Sequence, residues 1–373
     1  MALSRPMVMV LPTTGGEDTE MIVYDSVDDF VRLEPSWNAA AFRAPSPSLT
    51  HEWYVAWWRA FGGEMAMALA EFGRDGRFLG GAALMRRPAR TIAAAANDYT
   101  DDWDVVAVDD SARAGLWRRI ARLPAAQLRF GGLPGPGGSA AAASKALAEA
   151  GYRLSVSRQE LSPYLVLPET WDELLGTISR SQRSKLRRYR RRLEQEGSLR
   201  LQTVTGTDSS LDAALDRFFE VEASGWKGAG GTAILQRPAA HRFYRDFAHA
   251  AAAKGWLRLY LLELDGVTIA GAYSCVLGDT VFLLKSGFDE RHRHLAPGVV
   301  LRAETLREAV SEGLARYEFM GSADPHKLHW VPELRERSVV SAYRGLALSA
   351  YLYRHKARPL ARRIRDRIRP DSK

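Results

Sequence analysis

The sequence predicts an α/β chain built twice over, two domains in tandem with mixed sheets flanked by helices. Three observations carry this. The chain has 373 residues, 46% of them apolar, with 10 Trp, 13 Tyr and 13 Phe, which supplies a sizeable core and exceeds one ordinary domain. One pattern occurs twice: Met67 to Ala82 and Leu259 to Ala272 each read as an apolar run, Asp-Gly (Asp75-Gly76, Asp265-Gly266), three residues, then small-Gly-Ala. Helix-type and strand-type periodicities alternate through the rest.

The expected division is a flexible terminus over 1–20, a first domain over 21–163, a second over 164–345 and a basic helix or tail over 346–373. The first domain opens on a helix with Trp53, Trp57, Trp58 and Phe61 at helical spacing, read as core. Asp-Gly between apolar runs then marks a hairpin, because a type I′ turn needs positive φ at both central residues. A Gly/Pro loop over Gly131–Gly138 and an Ala-rich helix, Ser139–Ala150, stopped at Gly151, close this half.

The second half reads as a strand over Tyr164–Leu167, then a helix over Thr170–Glu196 broken near Ser179. A strand over Leu199–Thr205, a helix over Ser209–Glu222 and the Gly-rich loop Gly225–Gly231 follow. After the helix Pro238–Lys254 come strands Leu257–Leu264, Val267–Leu277 and Thr280–Gly287, a helix from about Gly298 to Glu312, and strands Arg316–Met320 and Ser338–Tyr343.

Composition excludes several classes. No run of about 18 apolar residues occurs, and Met7–Leu11 is too short and too Pro-bounded for a signal peptide, so a cytoplasmic protein is expected. A single cysteine, Cys275, leaves no internal disulfide framework and no Cys-cluster zinc site. No metal is expected. The net charge of +8 is concentrated: Arg180–Arg192 holds eight basic residues and no acid, the tail from Arg354 is basic, and the body is mildly acidic. Global charge therefore does not argue for nucleic acid, and each basic run is weighed alone.

The informative stretch runs from Phe282 to Val300. A strand feeds a short basic loop with Arg291 and Arg293, and Ala296-Pro297-Gly298 opens a helix. Such a loop can aim unpaired N–H groups at an anion, with the helix end and arginines assisting; an ordinary strand-to-helix turn with Pro near N1 and solvated arginines is the alternative. Neither GxxxxGK[ST] nor GxGxxG occurs.

Here the sequence resembles the GNAT acyltransferases. Arg293-x-x-Ala296-x-Gly298 looks like a variant of their pyrophosphate motif, R/Q-x-x-G-x-G/A, with Ala296 in place of its first Gly. The stretch also resembles the CelD/BcsL-like branch associated with cellulose and exopolysaccharide synthesis, related to FemAB-type transferases. Further matches are Glu222-x-x-x-Trp226-Lys227-Gly228, Phe243-Tyr244-Arg245, Lys285-x-Gly287-Phe-Asp289 and Glu318-Phe319-x-Gly321 followed by Lys327-x-x-Trp330. In the first half, Trp57-Trp58-x-x-Phe61 and Asp98-Tyr99-Thr100-Asp101 fit as well. The resemblance spans roughly residues 20 to 345 and departs at His326, where the branch often has Tyr.

That resemblance implies tandem GNAT-like domains, the first degenerate, and one acyl-CoA site in the second. In the first half Arg86-Arg87-Pro88 is followed by the apolar run Thr91–Ala96, with no comparable loop. Lys285, Gly287, Arg291, Arg293, Ala296, Gly298 and Val299 become the expected cofactor residues. In such folds the thioester lies between two splayed parallel strands, here Thr280–Gly287 and Arg316–Met320. Glu318 is the candidate base, Lys327 an anion binder and His326 a proton relay. Each has a plain alternative: a salt-bridged strand residue, a solvated lysine, a surface histidine.

Asp98 and Asp101, in the cluster Asp98–Asp104, are candidates to receive a cationic or sugar acceptor, or simply an acidic solvent loop. Trp226 and Lys227 are candidate lid residues. The stretch Ser181–Leu193 makes an amphipathic helix with Leu186, Tyr189 and Leu193 on one face and Arg187 and Arg188 elsewhere, suited to a phosphorylated acceptor, tRNA or an anionic surface, or merely solvated. The tail from Tyr353 can dock, touch a membrane surface or only solubilise. The expected activity is an acetyl-CoA-dependent (or other acyl-CoA-dependent) N- or O-acyltransferase on a small-molecule or saccharide acceptor. One rival takes its acyl group from aminoacyl-tRNA; another is a noncatalytic basic adaptor for RNA or membrane. Nucleic acid other than that tRNA is not expected.

Overall fold

The computed structural model describes residues 19–135, 138–159, 161–225, 231 and 233–353. Trp226, Lys227 and the tail beyond Tyr353 lie outside the described residues. The described residues form two compact units, the first from 19–29, 64–159 and 337–353, the second from 30–63 and 161–336.

The first unit is an eight-stranded sheet: β1 (Thr19–Tyr24), β2 (Ala66–Gly73), β3 (Phe78–Arg87), β4 (Thr91–Ala94), β6 (Gln127–Pro134), β15 (Arg337–Tyr343) and β7 (Arg153–Arg158) in spatial order, with β5 (Val106–Ala107) on β3. All pairs are antiparallel except β4 with β6. Helices α4 (Asp110–Ala121) and α5 (Ser139–Glu149) cover one face, where Trp103, Trp117, Phe130 and Leu147 are buried together.

The second unit repeats that order with seven strands: β9 (Leu199–Val204), β10 (Leu257–Leu264), β11 (Val267–Leu277), β12 (Thr280–Phe288), β13 (Arg316–Glu318), β8 (Ser162–Val166) and β14 (Glu333–Arg335). Again one step is parallel, β12 with β13. The duplication read from the sequence is therefore present in the topology, hairpin for hairpin. Asp265 and Gly266 have φ of 50° and 78°, the expected I′ turn. At the first copy only Gly76 is positive, and its N–H donates to the Gly73 carbonyl at 2.9 Å, a longer loop with one left-handed glycine.

Two segments join the other unit from the one expected. The sequence places Ser338–Tyr343 in the domain over 164–345, yet β15 pairs with β6 and β7 of the first sheet, in the position that β8 fills in the second. After the single turn α1 (Val27–Phe30) come helices α2 (Glu34–Ala41) and α3 (His51–Trp57); the sequence places the Trp53 helix in the first domain, yet Trp53 meets Phe243 and Phe247 of α9 (Pro238–Ala253) edge-on at 4.9 and 4.8 Å. Periodicity specifies which face of a segment is buried, and says nothing about which sheet or helix buries it.

The predicted break near Ser179 separates α6 (Trp171–Thr177) from α7 (Arg180–Glu196). Thr170 and Glu173 close a reciprocal cap on α6, and the Ser179 hydroxyl accepts from the Gln182 N–H at 3.2 Å to start α7. Leu193 is fully buried, with Leu186 and Tyr189 packed beside it, as the apolar face required. Helices α8 (Ser210–Ala223), α10 (Pro297–Ser311), the single turn α11 (Pro325–Leu328) and α12 (Gly345–Leu352) complete the set.

Candidate functional site

In the second unit, β12 and β13 pair only over Thr280–Phe282 with Arg316–Glu318. β12 runs on to Phe288, bulged at Leu284, where the register against Tyr273 and Ser274 slips. β13 stops at Glu318, and the next residue, Phe319, donates its N–H to the Pro163 carbonyl at 3.0 Å on the far side. The parallel pair thus opens towards its carboxyl ends, where α/β sheets take ligands. Two connections border that opening, Asp289–Ala296 into α10 and Phe319–Asp324 into α11.

The first connection is held from within. Asp289 is buried, accepts from the Arg291 N–H at 3.0 Å and grips the Arg291 guanidinium, with Nη2 to Oδ2 at 2.7 Å. Hydrogen bonding from Arg291 holds the Asp289 carboxyl below its ordinary range. Arg291 therefore shapes the loop, while Arg293 stands 79% exposed with its nearest acid, Glu290, at 3.8 Å. Ala296 sits in the left-handed region, φ 54° and ψ 50°, a conformation in which the missing glycine would be unstrained. Pro297 occupies N1 without an N–H, and the Val299 N–H donates to the Ala296 carbonyl at 3.0 Å. Among the described residues the Gly298 N–H at N2 has no backbone acceptor, so one donor rather than a row of them faces an incoming anion.

Lys285 and Gly287 do not join this loop. They lie on the other face of β12, where Lys285 stands 5.9 Å over the Tyr244 ring and a Cβ on Gly287 would come 2.6 Å from the Cα of Glu222. Gly287 is small so that α8 can press on the strand. The expected cofactor set is split by strand alternation, which the one-dimensional motif hides.

Glu318 is likewise placed differently from the expected base. Its carboxylate is buried, taking Arg316 Nη2 on Oε1 at 2.7 Å and Arg335 Nε on Oε2 at 2.9 Å. Arg316 in turn stacks 3.5 Å over Tyr164, whose hydroxyl donates to Glu333. These groups form a cross-strand ladder over β13, β8 and β14; both carboxylate oxygens are occupied.

Lys327 is a clamp. Its ammonium donates to the carbonyls of Met320 at 2.9 Å and Ser322 at 2.8 Å and lies 3.3 Å from Asp324. Met320 and Gly321 are consecutive left-handed residues, φ 54° and 58°, so the lysine secures a strained turn at the mouth of the opening. His326, next to it, is exposed to solvent, yet partial desolvation and then the Lys327 charge lower its pKa below the ordinary 6.5. A neutral imidazole at the opening is the arrangement a proton acceptor needs.

A residue the sequence reading missed is Arg302 on α10. Its Nη1 donates to the Tyr317 hydroxyl at 2.5 Å, and its guanidinium lies 5.7 Å from the rings of Tyr317 and Phe319. The only signal was an arginine set between Leu301 and Ala303 on an otherwise apolar face.

The remaining candidates separate. In the first unit, the stretch after β4 corresponds to the loop after β12 and is acidic instead of basic; Thr91–Ala94 is strand β4 itself. Asp98 is exposed, but Asp101 accepts from Arg337 through its carbonyl at 2.7 Å and its carboxylate at 3.0 Å. Asp104 accepts from Ser139, from the Val105 N–H at 2.7 Å and from Arg113 at 3.1 Å, and burial pushes its pKa up to about 6. Asp101 and Asp104 hold structure, and of the acids named here Asp98 faces solvent. On α7, Arg183 caps the carbonyls of Leu175 and Ile178, and Arg190 pairs with Glu194 and Glu304. Arg187 and Arg188 are exposed with Lys185, Arg191 and Arg192, an arc of helix surface without an acid.

Residues 180–328 match the family model described as an acetyltransferase (GNAT) domain. FemX, a solved structure, is similar over 86% of this chain and 97% of its own at 15% identity, with a TM-score of 0.57. The C-terminal domain of a protein described as a lysylphosphatidylglycerol synthetase from Agrobacterium fabrum is similar over 88% of this chain and 97% of its own, at 14% identity and a TM-score of 0.56. No curated protein matches the chain at a significant level. The fold is GNAT-like.

Proposed function

We propose that the chain is an acyltransferase that takes its acyl group from a coenzyme A thioester and passes it to a polar acceptor. The observation that carries this is the opening between β12 and β13 with Arg293 and the α10 N-terminus at its edge, inside the segment that matches the GNAT model. Arg293 and the Gly298 N–H would hold the pyrophosphate, by charge and by the helix end. Coenzyme A supplies the activated acyl carbon when bound.

His326 replaces Glu318 as the proton acceptor for the attacking amine or hydroxyl, because its lowered pKa keeps the imidazole neutral near pH 7, whereas both Glu318 oxygens are taken by arginines. Acetyl as the acyl group and a saccharide acceptor in exopolysaccharide synthesis belong to the same reading and rest on the sequence resemblance; a cytoplasmic setting rests on the sequence composition.

Calorimetric titration with acetyl-CoA tests it. One saturable site is expected, weakened by Arg293→Ala; absence of binding to folded protein rejects the donor. The second reading, an aminoacyl-tRNA donor, is favoured by the acid-free arc on α7. It predicts RNA binding that falls on joint reversal of Arg187, Arg188 and Arg191 to Glu.

A further inference from the structure

Arg302 is half-buried and has no counter-ion among the described residues. Its contacts among the described residues are the Tyr317 hydroxyl at 2.5 Å, a marginal 3.5 Å approach of Nη2 to the Ser286 hydroxyl, and the faces of Tyr317 and Phe319. The acids along the same helix are committed elsewhere: Glu304 to Arg190, Glu308 to Thr203, Glu312 to Arg258. Thr305 lies 3.2 Å from the Tyr317 oxygen and orients that hydroxyl beneath the guanidinium. Phe319, whose ring the guanidinium packs on, is the first residue of the connection after β13, so the guanidinium lies where that connection begins; its charge is one of the lesser influences that lower the His326 pKa.

A partly desolvated guanidinium backed by hydroxyls and aromatic faces, with donors left over, is a waiting half of a bidentate ion pair. We propose that Arg302, with the Ser286 hydroxyl, binds an oxyanion of the reacting molecules, a carboxylate or phosphate-type group, in the opening between β12 and β13. The assignment deepens the acyl-transfer reading and rests on it for its place in the reaction. Arg302 lies five residues into α10, about 7.5 Å along the axis from Pro297, and the Arg293→Ala comparison below separates this anion from a pyrophosphate at the helix start. Bound there, the anion would fix one end of a reactant in the opening bordered by the connection that leads to His326. The anion belongs either to the acceptor or to the far end of a dicarboxylic acyl group.

The test titrates the full chain with sodium acetate, and separately with inorganic phosphate, against chloride at matched ionic strength, following the ring resonances of His326. Saturable displacement is expected in the native chain and in Arg293→Ala. It should weaken about tenfold or more in Arg302→Met, which keeps the stem, and be partly retained in Arg302→Lys. Equal responses in native and Arg302→Met protein overturn the proposal. Acetyl-CoA and succinyl-CoA are titrated in parallel. Tighter succinyl-CoA binding that disappears in Arg302→Met places the anion on the donor; equal binding of the two, with the acetate response still dependent on Arg302, places it on the acceptor. If neither thioester binds, the donor assignment fails while the oxyanion titration still decides the site.

Discussion

Replacing Lys327 by Met separates a catalytic lysine from a structural one. The change keeps the length of the stem and removes the donors that hold the Met320 and Ser322 carbonyls at 2.9 and 2.8 Å. The side chain is only 11% exposed, so water replaces these contacts incompletely. Hydrogen bonds from a charged donor contribute about 1.5–3 kcal/mol each. After allowance for water at the mouth of the opening, the expected loss is about 2–4 kcal/mol, concentrated in the second unit. For a unit of this size that corresponds to roughly 4–16 °C in the midpoint of its thermal transition. Calorimetric scanning reads the transition, and turnover is measured well below it, where the variant remains folded. The clamp predicts a lowered midpoint, partly restored in Lys327→Arg. An unchanged midpoint with turnover reduced a hundredfold would refute it and return Lys327 to the chemistry.

Four further outcomes follow from the same structure. Ala296→Gly should raise stability by about 0.5–1 kcal/mol in urea unfolding, because it relieves a left-handed alanine at φ 54°; a loss would mean that the loop is not strained there. Glu318→Gln should lower stability by about 1–3 kcal/mol, since Arg316 and Arg335 lose their anion. Turnover per folded molecule should stay near native, and a collapse of turnover would restore the base. The acidic limb of kcat/KM should fall below pH 6.5 and vanish in His326→Asn, because the lowered His326 pKa keeps the imidazole neutral down to that range. Asp104, raised to about 6 from 3.8, binds its proton more tightly folded than unfolded. Its contribution is complete below about pH 4 and is lost as pH rises through 6, on the order of 2–3 kcal/mol. Unfolding of Asp104→Asn should lack that slope.

The comparison of sequence with structure divides along physical lines. Local signals were legible because they are written in adjacent residues: the I′ turn at Asp265-Gly266, the Ser179 break, the apolar face through Leu193, and the strand-to-helix passage at Ala296-Pro297-Gly298. The duplication was legible too, since the Asp-Gly and Gly-Ala offsets survive in both copies. The functional set was only half legible. Lys285 and Ser286 are neighbours in the chain and lie on opposite faces of β12, so a motif quoted as a string mixes the α9 side with the α10 side.

By itself the sequence determined that the chain holds two α/β sheets of similar topology and that a basic loop enters a helix in one of them. It determined these because turns, caps and periodicity are encoded within a few residues. Tertiary structure alone decided which sheet receives β15, that α3 packs on α9, that Glu318 and Lys327 are consumed by Arg316, Arg335 and two carbonyls, and that Arg302 is left without an acid among the described residues. Those outcomes depend on partners far away along the chain, and a charged side chain carries no local mark of whether its counter-charge will be protein or ligand.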